Sequence, residues 1–181
     1  MTNILNLLGP VMLGVAFAGF LLFAKRVLRI PLPGWFIPMG AAFAMMAGHL
    51  YIEYTWFNRF SAQLPAHVHV ADTLTTSGPF EPWTYARPRI NRFSAVDANA
   101  IRVNPAHPDI VIGEVILVER YVPTATIGQI ADCKGTRTAD MPADPVFGSD
   151  GLPQGLVWID RTADNPVLAT MCRLAQEKAP K

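Results

Sequence analysis

The chain has 181 residues, room for one ordinary domain and an anchor but not for two full domains. A formal net charge of +1 excludes a nucleic-acid partner held by a dense basic surface. Only 16% of residues are charged, against about 25% in a typical soluble protein, and the deficit is local: between Met1 and Asn58 the charged side chains are Lys25, Arg26, Arg29 and Glu53 alone.

From Ile4 to Phe23 the chain reads ILNLLGPVMLGVAFAGFLLF, without a charge. At about 1.5 Å of rise per residue, such a run spans the roughly 30 Å hydrocarbon core of a bilayer as one helix. Pro10 falls in its early turns, where a membrane helix tolerates proline. A second run, Trp35 to Ile52, reads WFIPMGAAFAMMAGHLYI, with His49 its one ionisable group. Aromatic residues mark both its ends: Trp35 and Phe36, then Tyr51, Tyr54, Trp56 and Phe57, as in an interfacial belt. These features predict a two-helix transmembrane hairpin over 1–58. Its helices would cover about 4–23 and 35–54, joined by a loop at 24–34.

That loop, AKRVLRIPLPG, carries Lys25, Arg26 and Arg29 and no acid. The positive-inside rule places it in the cytoplasm, with both termini and everything after residue 58 on the periplasmic side. A cleaved signal peptide is a poorer fit to the first run. It has no basic segment before its apolar core and no A-x-A site after it.

Gly40, Ala44 and Gly48 recur every fourth residue on the second helix, and Gly14 and Ala18 do so on the first. Such stripes let backbones approach closely, either within the hairpin or against another subunit. His49 and Glu53 stand i, i+4 and share a face near the outer end of the second helix. Ionisable residues inside a membrane are candidates for a proton relay or a polar contact to a partner, though interfacial snorkelling also accommodates them.

Residues 59–181 predict a small mixed α/β domain, rich in strands and loops, with one C-terminal helix. Sixteen prolines and 13 glycines in the chain argue against a helical bundle here. Ala66 to Thr73 alternates His67 and His69 with Val68 and Val70, as in a half-exposed strand. Ser77 to Pro88 holds four of the prolines and glycines, so an irregular loop is expected, with Trp83 and Tyr85 folded back or facing a partner. Arg87, Arg89 and Arg92 form a basic, aromatic-interleaved patch suited to anionic headgroups, an acidic partner or solvent. Ile110 to Val122 is β-branched and apolar and reads as a central strand, with Gly113 as a candidate bulge. Ala100 to Val103 and Leu156 to Ile159 are shorter strand candidates, and Asp140 to Pro153 reads as a surface loop. Asn165-Pro166 is a helix start, an N-cap followed by proline at the first helical position.

The two cysteines, Cys133 and Cys172, would both face an oxidising compartment in this topology, so a disulfide is expected. No C-x-x-C pair points to redox catalysis. Nor is there a G-x-S-x-G elbow, an H-E-x-x-H helix, a P-loop, a G-x-G-x-x-G turn or a haem-attachment site. On a strand His67 and His69 project to one face, and Asp72 or His107 would have to supply a third metal ligand. The expectation that follows is a non-catalytic accessory or assembly subunit without a cofactor. It would dock on integral-membrane subunits of a larger inner-membrane complex through the hairpin and the periplasmic domain. The alternative is a membrane-tethered module binding a metal or small ligand at His67 and His69.

Overall fold

A computed structural model describes residues 2–104, 107–142, 145–148 and 152–178. The chain divides into two compact units, Met1–Ala62 and Gln63–Lys181.

The first unit is two helices, α1 (Thr2–Val27) and α2 (Phe36–Ser61). Their contacts run in opposite directions along the chain: Gly9 meets Ile52, Gly48 meets Leu13 and Pro10, and Gly40 meets Leu21 and Phe17. The pair is therefore an antiparallel hairpin. Lys25 and Arg26 occupy the last turn of α1, where the helix dipole favours cations. The helix stops where Arg29 takes a left-handed backbone, φ 55°, and the Ile30 N–H donates back to the Ala24 carbonyl at 3.5 Å. Glycine usually holds that capping position.

Among the described residues one helix is long and apolar enough to cross a membrane, Leu8–Val27, with a mean hydropathy of 1.8. A helix of this kind near the N-terminus meets the length and composition of a signal sequence as well as those of a span. The expected second span does not pass the same test. The α2 helix runs on through Glu53, Asn58 and Arg59 to Ser61, and its small residues Gly40, Ala41, Ala42, Ala44, Ala47 and Gly48 bring little apolar surface.

The second unit is a curled antiparallel sheet with a helix packed on it. The strands are β1 (Val68–Thr76), β2 (Arg89–Asp97), β3 (Arg102–Asn104), β4 (His107–Glu119), β5 (Ala125–Asp132), β6 (Arg137–Asp140) and β7 (Ile159–Asp160). They lie in the order β1-β2-β4-β5-β6-β7, with β3 also paired to β4. Every pairing is antiparallel, so the helix content does not make this an alternating α/β fold. Register breaks between Val70 and Asp72 and between Leu74 and Thr75 bend the edge strand β1. A short helix, α3 (Trp83–Ala86), interrupts the β1–β2 loop, and the terminal helix is α4 (Pro166–Lys178).

β4, the β-branched run, is central as its composition predicts. Its Val111 and Val115, with Val96 of β2, Ala131 of β5 and Ile101, meet Leu168, Met171, Leu174 and Ala175 of α4 in one buried cluster. The register puts Phe93, Ala95, Ile130 and Ala139 on the other face of the sheet, and these too are 1% exposed or less. With both faces covered, β2 buries Phe93 to Val96 consecutively instead of alternately. Gly113 is not a bulge: its register runs unbroken opposite Gln129. A Cβ there would sit 2.7 Å from Ile101 and 3.1 Å from Met171, so the glycine lets α4 approach the sheet.

Asn165 caps α4, its Oδ1 accepting from the Leu168 N–H at 3.1 Å. Cys133, just after β5, is disulfide-bonded to Cys172 on α4, with Cα atoms 5.8 Å apart. Both half-cystines pack against the core cluster.

Candidate functional site

The small-residue stripes face inward within the hairpin. A Cβ at Gly14 would collide with Met45 and lie 3.1 Å from the Ala41 carbonyl oxygen. At Gly40 it would stand 2.7 Å from Leu21, and at Gly48 2.8 Å from Leu13. Ala18 and Ala44 are half-buried beside them. What the hairpin presents outward is large and apolar: Met12 is 63% exposed, Phe20 60% and Phe43 67%. His49 Nε2 lies 4.0 Å from Glu53 Oε1, and the carboxylate is nearly buried while the imidazole is half exposed.

In the second unit, His67 Nε2 stands 3.9 Å from Asp97 Oδ2. His69 is paired in register with Val96 one strand over. Among the described residues no group of three or more His, Cys, Asp or Glu side chains is gathered for a metal ion, so neither Asp72 nor His107 completes a site with them. The arginine patch is divided. Arg89 pairs with Glu81, Nη1 to Oε1 at 3.0 Å, and stands with Arg92 on β2. In the loop before them, the buried Thr84 hydroxyl donates to the Glu81 carbonyl at 2.6 Å and accepts from the Gly78 N–H at 3.1 Å. That knot leaves Phe80 96% exposed, with Trp83 and Tyr85 also outward. Tyr121 and Val122, in the turn after β4, are exposed as well. The Arg120 N–H donates to the Asn91 carbonyl at 3.0 Å, which ties that turn to the start of β2.

The β5–β6 turn is built around Asp132. Its carboxylate accepts from the Gly135 N–H at 2.7 Å, the Lys134 N–H at 3.2 Å and Arg137 Nε at 2.8 Å. Burial pushes this carboxyl up. The Gly135 hydrogen bond, the Arg137 hydrogen bond and charge, and the Lys134 hydrogen bond outweigh it and hold the group below its usual range. A side chain at Gly135 would strike the carboxylate. Arg137 in turn lies 4.7 Å from the centre of the Trp158 ring. The turn carries Cys133, whose own N–H donates to the Asp109 carbonyl at 2.9 Å.

One cleft, of about 340 Å³, opens on the face of the sheet that carries α4, beside that helix's first turn. Leu74, Val115, Leu117, Ile127 and Val167 give it apolar walls. Ser94, Gln129 and Thr138 line it from β2, β5 and β6 and are 8% exposed or less. Arg92, Glu119 and Arg161 also line it. Arg161 is anchored twice, its N–H donating to the Thr136 carbonyl at 2.8 Å and its Nε to Thr138 Oγ1 at 3.1 Å. Gln129 is held by its amide, Nε2 donating to Asp140 Oδ1 at 3.0 Å. Arg92 and Glu119 are register partners across β2 and β4, yet they form no ion pair with each other. Sequence reading missed this site because its polar residues lie on four strands and a loop, with no motif linking them. The one local signal was polar residues set into apolar strands, as in Thr126-Ile127-Gly128-Gln129-Ile130.

Compared with known proteins, the chain gives no significant match to a protein-family model, a curated protein or a solved structure.

Proposed function

We propose that the protein is a non-catalytic accessory or assembly subunit of a larger inner-membrane complex. In this reading α1 and α2 both span the bilayer, the loop bearing Lys25, Arg26 and Arg29 is cytoplasmic, and residues 59–181 are periplasmic. The supporting observation is the outer surface of the hairpin. Gly14, Gly40 and Gly48 are taken up in packing α1 on α2, while Met12, Val15, Phe20, Phe23, Met39 and Phe43 turn outward. Water would not support so much exposed apolar surface on a two-helix unit, whereas lipid or neighbouring transmembrane helices would. The disulfide agrees with an oxidising compartment. The Phe80, Trp83 and Tyr85 loop supplies the aromatic anchors typical of a protein interface.

Gentle detergent extraction followed by native mass measurement tests the reading. A stoichiometric complex with other integral-membrane chains is expected, and a monodisperse single chain at all detergent concentrations would overturn the subunit assignment. Protease added to intact spheroplasts tests the sidedness. Residues 59–181 should be trimmed before lysis; their survival until lysis would invert the topology.

A further inference from the structure

We infer that the cleft beside the first turn of α4 is a binding site for a small monocarboxylate with a compact apolar body. Its volume, about 340 Å³, lies in the range of small-ligand pockets, and its lining has their usual character of aliphatic walls with a few placed polar groups. Arg161 is the anchor. Its backbone and Nε are both engaged, by Thr136 and Thr138, so the guanidinium is oriented in advance. Neither terminal amino group hydrogen-bonds to a described residue, which leaves the fork that receives a carboxylate in two parallel bonds. Arg92 adds a second guanidinium without an ion-pair partner among the described residues, against the one carboxylate of Glu119, so the cleft favours an anion.

Two further groups await a partner. The Ser94 hydroxyl, on a residue 5% exposed, makes no hydrogen bond to any described residue, and neither does the Gln129 side-chain oxygen. Neither atom is sealed from solvent, since among the described residues the single buried side-chain polar atom without a hydrogen bond is elsewhere. Both groups therefore open into the cleft that they line, ready for a ligand hydroxyl or for water. The walls from Leu117, Ile127 and Val167 suit an aryl or short branched alkyl body.

The test uses the full chain in nanodiscs and 4-(trifluoromethyl)benzoate as the probe, followed by fluorine NMR with empty nanodiscs as the blank. Saturable binding above the blank is expected at millimolar concentration or below. The uncharged 4-(trifluoromethyl)benzamide should bind the unaltered protein about tenfold more weakly, the loss of one charge-assisted pair. Arg161→Gln should weaken the benzoate by a similar factor and leave the amide unchanged. Leu117→Trp, which fills the cleft, should abolish both while the disulfide stays intact on a non-reducing gel. No saturable binding up to ~10 mM, or equal affinity for benzoate and benzamide, would overturn the inference. Undiminished binding in Leu117→Trp would move the ligand elsewhere and overturn it equally.

Discussion

Gly14 shows how one missing side chain decides the packing of a helix pair: the space its Cβ would fill is occupied by Met45. Gly14→Leu should therefore destabilise the hairpin by about 1–3 kcal/mol through overpacking, read as a lower midpoint of denaturing-detergent unfolding. Gly19→Leu is the control, because a Cβ at Gly19 meets nothing within 4 Å and the midpoint should not move. Equal shifts in the two variants would refute the packing argument. Asp132 carries a different prediction. Its carboxyl is held below its usual value, so its contribution to stability is complete above the unfolded value of about 4 and is lost as pH falls through the folded value. Asp132→Asn should lower the thermal midpoint of the second unit at pH 7. It should also flatten the acid limb of the pH profile below about pH 4. Parallel profiles for the variant and the unaltered protein between pH 7 and pH 2 would remove the carboxylate from this role.

At the scale of the elements, α4 is a helix of 13 residues that closes one face of the sheet, and a single covalent bond ties it to the β5–β6 turn. The two cysteines are 39 residues apart. In the chain-entropy account, closing that loop stabilises the fold by roughly 4 kcal/mol. Reduction under native conditions should lower the thermal midpoint and expose α4 first, seen as early hydrogen exchange at Met171 and Leu174. Exchange at those amides that is unchanged by reduction would mean that the apolar cluster alone holds the helix. The strands divide by legibility. β4 was readable because thirteen residues rich in Val and Ile have few other folded uses. β2 was not, since RINRFSAVD mixes Arg and Asn with small residues and shows no period of two. It is buried on both faces by neighbours that the local sequence does not contain. β5 and β6 escaped for the same reason, and Gly113 was misread as a bulge because the helix it accommodates lies about sixty residues later.

For the molecule as a whole, the proposed subunit role would make the exposed aromatic loop a docking element instead of part of the core. Phe80→Ser should leave the unfolding free energy within about 0.5 kcal/mol of the unaltered protein's, as for an ordinary surface change. The same variant should reduce recovery of the co-purifying chains severalfold. A large loss of stability with recovery unchanged would assign Phe80 to the fold. What the amino-acid order determined unaided was the apolar stretch of α1, the cationic loop after it, the central strand β4, the capped start of α4 and the presence of one cysteine pair. Each of these depends on properties that add up residue by residue along a short stretch: transfer free energy, charge, and backbone preference. Tertiary structure alone decided that the glycine stripes pack inside the hairpin and that, among the described residues, no third His, Cys, Asp or Glu gathers with His67 and His69. It also decided that Ser94, Gln129, Thr138 and Arg161 meet around one cleft. Those outcomes depend on which distant segments become neighbours, and burying apolar surface rewards many such arrangements nearly equally until the whole sheet is assembled.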